Sequence, residues 1–168
     1  MLKRRGDRKE AARAVETVQL VAFDVGGEHY GLAIGQVREI ERLQPVTKVP
    51  KALPFVEGVI RLRDAIIPVI DLAKRFGLPP TPQEQQARII IARLGAQNVG
   101  LIVSRVTEVL TIPAAEIGPA PPLTFDQQHR YVRGMARLKD GLLSVLDLDR
   151  LLSAEEAYLL QQQQQSLF

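Results

Sequence analysis

Residues 56–72 read VEGVIRLRDAIIPVIDL, and residues 132–148 read VRGMARLKDGLLSVLDL. A shift of 76 lays one on the other, and eight of the seventeen positions are identical. Working outward, a shift of 69 lays residues 31–40, GLAIGQVREI, on residues 100–109, GLIVSRVTEV. Here Gly31/Gly100, Leu32/Leu101, Val37/Val106 and Glu39/Glu108 are identical. The matched segments keep one order in both halves. The difference between the shifts falls where the second half has a longer proline-rich stretch, 113–128. A fixed order with a variable loop marks a duplicated structural unit, and two copies point to paired subdomains rather than a solenoid.

Each copy reads as strands. Residues 18–25 lead into Gly26-Gly27, a hairpin signal, and HYGLAI returns. Further strands are expected at 37–43 and 106–112, and at 57–64 and 133–139. The last two run into turns at Asp64-Ala65 and Asp140-Gly141. The runs AIIPVIDL and GLLSVLDL are continuously apolar, as strands buried on both faces are. Pro68 lacks an amide, which predicts an edge position or a bulge. Helix is limited to one turn over 72–76 and a C-terminal helix, where Ser153 and Glu156 form a capping box. A glutamine run, 161–165, continues or frays it.

Composition narrows the function. Apolar residues make up 46%, enough for a core, but aromatics only 5%, so Val, Ile and Leu must fill it. The absence of cysteine excludes disulfides, thiolate metal sites and cysteine nucleophiles. No apolar run approaches the ~20 residues of a bilayer span, and the N-terminus lacks a signal peptide's apolar stretch, so a cytoplasmic location is expected. Residues 1–16 hold six cations against three anions, which accounts for the whole net charge of +3. They read as a disordered basic tail, and the neutral body and sparse aromatics argue against a small-barrel nucleic-acid binder.

No constellation supports catalysis. His29 and His129 have no metal-ligand partners at useful spacing, the four serines sit on no nucleophile elbow, and no glycine-rich phosphate loop follows a strand. Asp71 and Asp147 hold equivalent positions after apolar strands, where a backbone hydrogen-bonding role explains them better than a paired-carboxylate site. Surfaces remain. On a regular strand Val37, Glu39 and Glu41 share one face. Arg61 and Arg63 project together from the hairpin that starts at Gly58, either as a solvated edge or as a recognition pair for acidic groups.

The string VPKALPFVEGVIRLRDAIIPVIDLAKRFG, residues 49–77, resembles the signature of the CheW-like family at Val49-Pro50, Pro54, Gly58-Val59, Leu62-Arg63, Pro68-Val69 and Asp71-Leu72. Residues 23–40, 88–110 and 142–152 resemble the family's other strands, so the likeness covers about 17–152. It implies an all-β fold of two SH3-like five-stranded barrels around a shared apolar core, intertwined over about 18–80 and 87–150, with residues 153–168 as a C-terminal helix and glutamine-rich end. It implies a non-enzymatic adaptor without metal or cofactor. The adaptor would bind the cytoplasmic tip of chemoreceptors and the regulatory domain of a CheA-type histidine kinase, and reach membrane arrays through those partners. A pilus- or gliding-type chemosensory pathway is the alternative output. Val37, Glu39, Gly58 and Arg63 match the family's receptor groove, and Arg61 adds a charge beside it. Where the family pattern has Asn-Leu-Arg-Gly, this chain has Arg61-Leu62-Arg63-Asp64, which places an aspartate where positive φ is expected.

Overall fold

A computed structural model describes residues 16–119 and 130–165, with side chains through 162. In chain order the strands are β1 (Thr17–Val25), β2 (Glu28–Ala33), β3 (Val37–Arg42), β4 (Val56–Leu62), β5 (Ala65–Asp71), β6 (Arg88–Leu94), β7 (Gln97–Val103), β8 (Arg105–Pro113), β9 (Ile117–Pro119), β10 (Val132–Leu138) and β11 (Gly141–Leu146). The helices are α1 (Leu72–Arg75) and α2 (Ala154–Gln165).

The strands form two sheets, in the orders β3-β6-β7-β5-β4 and β8-β1-β2-β11-β10-β9. The duplication makes β6, β7 and β8 the counterparts of β1, β2 and β3, and β10 and β11 those of β4 and β5. The two sheets therefore have the same order, with β9 added to the second. Neither sheet is built from one contiguous half. Each takes its hairpin from the opposite half, so 18–80 and 87–150 are the units of duplication but not the units of the sheets. Each exchanged hairpin is seamed on one side by an antiparallel pairing, β3 with β6 and β8 with β1, and on the other by a parallel one, Val69–Asp71 with Gly100–Ile102 in the first sheet and Ser144–Val145 with Tyr30–Gly31 in the second.

The packing follows the same exchange. Ile60, Ile67, Val69, Ile89, Ile91 and Ile102 fill the first barrel. Leu20, Ala22, Ile112, Ala136, Leu143 and Val145 fill the second. Ile60/Ala136, Ile67/Leu143, Val69/Val145, Ile89/Leu20 and Ile91/Ala22 are equivalent pairs under the two shifts. The opposite faces of both sheets close on a third cluster, which holds Phe23, Tyr30, Phe76 and Tyr131 in one row with successive ring centroids 6.0, 5.1 and 5.6 Å apart. Among the described residues, every buried aromatic lies in this cluster between the barrels. β5 reads as an unbroken apolar run because Ile67 and Val69 face the barrel interior while Ile70 faces the shared cluster.

Pro68 departs from expectation. Its strand lies between β7 and β4, not at an edge. Its partner Val59 directs both backbone groups away, to Thr47, at 2.8 and 2.9 Å. The proline nitrogen consequently faces β7, one residue before that parallel ladder begins at Val69, where no donor is required. The β4–β5 turn also differs. Its two residues are Arg63 and Asp64, and the positive φ of 56° belongs to Arg63 rather than to the aspartate.

Asp71 is buried, and all its listeners are local: Oδ1 accepts from the Ala73 amide at 3.1 Å and the Thr81 hydroxyl at 2.6 Å, and Oδ2 accepts from the Thr81 amide at 3.0 Å. Asp147 caps its own turn by accepting from the Asp149 amide at 3.1 Å. Both carboxylates hold backbone, as their positions after apolar strands led us to expect. The capping box of α2 is reciprocal: Ser153 Oγ accepts from the Glu156 amide at 3.1 Å, and Glu156 Oε1 accepts from the Ser153 amide at 2.9 Å.

The basic tail lies outside the described residues except for Glu16, whose carbonyl accepts from the Ala114 amide at 2.9 Å. Residues 1–15 show no apolar periodicity and, with Glu16, carry the whole net charge, so their deletion is expected to leave the barrels folded. The melting temperature of the deleted chain should stay within about 2 °C of the intact one. A larger fall by calorimetry would give the segment a structural role.

Candidate functional site

The first barrel opens into a groove at the end of its sheet. Arg38 and Glu39 from β3, Leu62 from β4, the Arg63-Asp64 turn, Ala65 and Ile67 from β5, Ile91 from β6 and Asn98 from β7 line it. A β-bulge builds the groove. β3 shifts register against β6, with Val37 opposite Ala92 but Glu39 opposite Ile91. Consecutive β6 residues face opposite sides, so the extra residue turns Glu39 toward the barrel mouth while Val37 stays with the shared cluster.

Glu39 then meets Arg63, whose Nη2 donates to Glu39 Oε2 at 3.0 Å. The Arg63 side chain is 77% exposed, and a pair so exposed contributes roughly 0–1 kcal/mol to stability. Holding a long side chain at positive φ costs about as much. The arrangement therefore adds little to the stability of the fold. The groove presents two cations, Arg38 and Arg63, and two anions, Glu39 and Asp64, around an aliphatic floor of Leu62, Ile67 and Ile91.

Of the residues singled out from sequence, the structure brings Glu39 and Arg63 together. Val37 is half-buried against the shared cluster, on the other face of the sheet from Glu39. Arg61 is exposed but leaves β4 on the side opposite Leu62 and does not line the groove. Gly58 is buried, with φ of 143°, and a Cβ there would lie 2.0 Å from the Thr47 carbonyl oxygen. Its place is in the backbone beneath the 47–48 segment. Sequence patterning missed Arg38 and Asn98. Arg38 is the bulged residue, and Asn98 arrives on a hairpin from the other half.

A likeness to known proteins runs the length of both barrels. The CheW-like domain profile matches residues 19–156. The chain belongs to the CheW-like family. Chemotaxis protein CheW of Klebsiella aerogenes is 34% identical over 145 residues, 85% of this chain and 87% of that protein. Chemotaxis protein CheW of Bacillus subtilis is 33% identical over 139 residues, 83% of this chain and 89% of the relative. The crystal structure of the scaffolding protein TtCheW from Thermoanaerobacter tengcongensis superposes with a TM-score of 0.77 at 38% identity, covering 84% of this chain and 96% of that one. These matches place this CheW-like chain among the chemotaxis scaffolds and agree with the two-barrel, strand-rich fold.

Proposed function

We propose that the chain is a non-catalytic coupling scaffold, which holds the cytoplasmic tips of chemoreceptors and the regulatory domain of a CheA-type histidine kinase in one assembly. The observation that carries the receptor side is the Arg63–Glu39 pair at the lip of the first groove. A receptor tip is a helical hairpin. An aliphatic floor flanked by charges of both signs fits an amphipathic helix and sets its register. The role requires no catalytic group, cofactor or metal. Among the described residues no helix is long and apolar enough to cross a membrane, so contact with membrane arrays would pass through the partners.

Replacing Arg63 tests the assignment. Loss of a charge-assisted contact buried on binding costs about 1.5–3 kcal/mol, so Arg63→Ala should weaken receptor-fragment binding roughly tenfold or more. Arg63→Gly separates binding from folding. It relieves the positive φ and should keep or raise the melting temperature, by up to about 1 kcal/mol of stability, while losing the same affinity. Kinase binding should persist in both. Unchanged receptor titrations in both variants would move the receptor contact elsewhere.

A further inference from the structure

The duplication that makes two barrels also makes a second groove. Under the shifts of 69 and 76, Glu39 becomes Glu108, Leu62 becomes Leu138, Asp64 becomes Asp140 and Ile67 becomes Leu143, while Ile91 answers to Ala22 and Asn98 to His29. All six counterparts line a concavity at the mouth of the second barrel. The bulge recurs as well. β8 shifts register against β1 between Ala22 and Phe23, at Thr107, the counterpart of Arg38. Equivalent bulges beside equivalent grooves are a built feature rather than an accident of one strand.

The grooves differ in how their charges are met. In the first, Arg63 closes on Glu39. In the second, Lys139 and Glu108 are both exposed, and neither has an ion-pair partner among the described residues. Asp24 is already engaged by His29 and by the Arg105 Nε at 2.9 Å, which leaves the Glu108 and Asp140 carboxylates to face the groove. Leu142, 53% exposed, adds an aliphatic rim beside Leu138.

We propose that the mouth of the second barrel is a second docking groove for the same kind of ligand as the first, the helical hairpin tip of a receptor. It takes a stretch of helix in which an aliphatic side chain is flanked by a lysine or arginine. The aliphatic group sits between Leu138 and Leu142, and the cation meets Glu108, supplying from the partner the charge that Arg63 supplies internally in the first groove. No internal ion pair is broken to admit it. One chain then contacts two tips, and the contact at the second groove weakens more steeply with salt than the contact at the first, because its charges are met only on binding. The proposal rests on the receptor-tip assignment above.

Methyl-resolved NMR on the intact chain, titrated with a receptor cytoplasmic-tip fragment, tests both together and separates them. The methyls of Leu138, Leu142 and Leu143 report the second groove, and those of Leu62, Ile67 and Ile91 the first. Both sets should shift, with separate midpoints. Glu108→Lys and Leu142→Ser should each raise the midpoint of the second set at least tenfold and leave the first alone, and Arg63→Ala should do the reverse. Shifts confined to the first set, or a second-set midpoint indifferent to both Glu108→Lys and Leu142→Ser, would overturn the second groove while leaving the receptor-tip assignment standing. Shifts in neither set would overturn both.

Discussion

Gly58→Ala should be the most destabilising of the single substitutions considered, removing a large share of the stability of the fold. The residue holds φ at 143°, and an added Cβ would sit 2.0 Å from the Thr47 carbonyl oxygen and 2.7 Å from its carbon. Both are backbone atoms and cannot swing aside. The clash also lands on the Thr47–Val59 bridge, whose two hydrogen bonds tie the 43–48 segment over the first barrel. Strain at a Gly-only conformation together with a broken bridge costs at least about 3–5 kcal/mol, against a total of about 5–15 for a domain. Gly134 provides the control. It occupies the equivalent bulge, yet it is not among the positive-φ residues, and its added Cβ meets the Gly118 oxygen at 2.8 Å and the Ile117 Cγ2 at 3.0 Å, a milder overlap than the 2.0 Å at Gly58. Gly134→Ala should cost clearly less than Gly58→Ala. Chemical denaturation of both compares them, and equal losses would contradict the assignment of Gly58 to the backbone.

The second large effect is expected at Arg75. Its side chain is 15% exposed and ties together four segments. The guanidinium donates through Nη1 and Nη2 to the two oxygens of Glu156 at 3.0 and 2.7 Å, and through Nε to the Leu151 carbonyl at 2.7 Å. It also lies 4.3 Å from the Phe55 ring centroid and 5.0 Å from that of Tyr131. Truncation strands a carboxylate and a carbonyl and removes two ring contacts, so Arg75→Ala should cost about 2–4 kcal/mol, or roughly 5–15 °C in melting temperature. Arg75→Lys keeps the charge but not the planar fork and should fall between. Partial burial works to raise the Glu156 pKa, but the Ser153 amide and Arg75 outweigh it and hold the carboxyl below its ordinary value. A depressed folded-state pKa stabilises above the unfolded value and is lost as pH falls through the folded one. The difference between wild type and Arg75→Ala should therefore be full at neutral pH and shrink below about pH 4. A wild-type melt in Arg75→Ala would show that α2 is held by something else.

Much of this architecture stood in the sequence because the duplication carries it. The eight identities between 56–72 and 132–148 marked β4 and β5 as the equivalents of β10 and β11, and the aspartates that end both runs announced their turn-capping role. The hairpin exchange did not show. Which hairpin joins which sheet depends on parallel pairings between residues about 30 to 115 apart in sequence, such as Val69 with Gly100 and Ser144 with Tyr30, and local periodicity does not record them. The site was half legible for a similar reason. Arg63 and Glu39 stood out by family likeness, and the structure joins them. Period-two alternation put Val37 on the same face as Glu39, and one bulged residue reversed that. Arg75 gave no signal, because its partners come from 55, 131, 151 and 156, each remote from a four-residue helix.

The most direct test of the coupling role is whether one chain holds both partners at once. Sedimentation velocity on the chain mixed with a receptor cytoplasmic-tip fragment and a kinase regulatory domain should show a ternary species heavier than either binary complex, and Arg63→Ala combined with Glu108→Lys should convert it to the kinase-bound binary complex. Binding of the two partners that is mutually exclusive, or a chain that binds neither, would contradict the account.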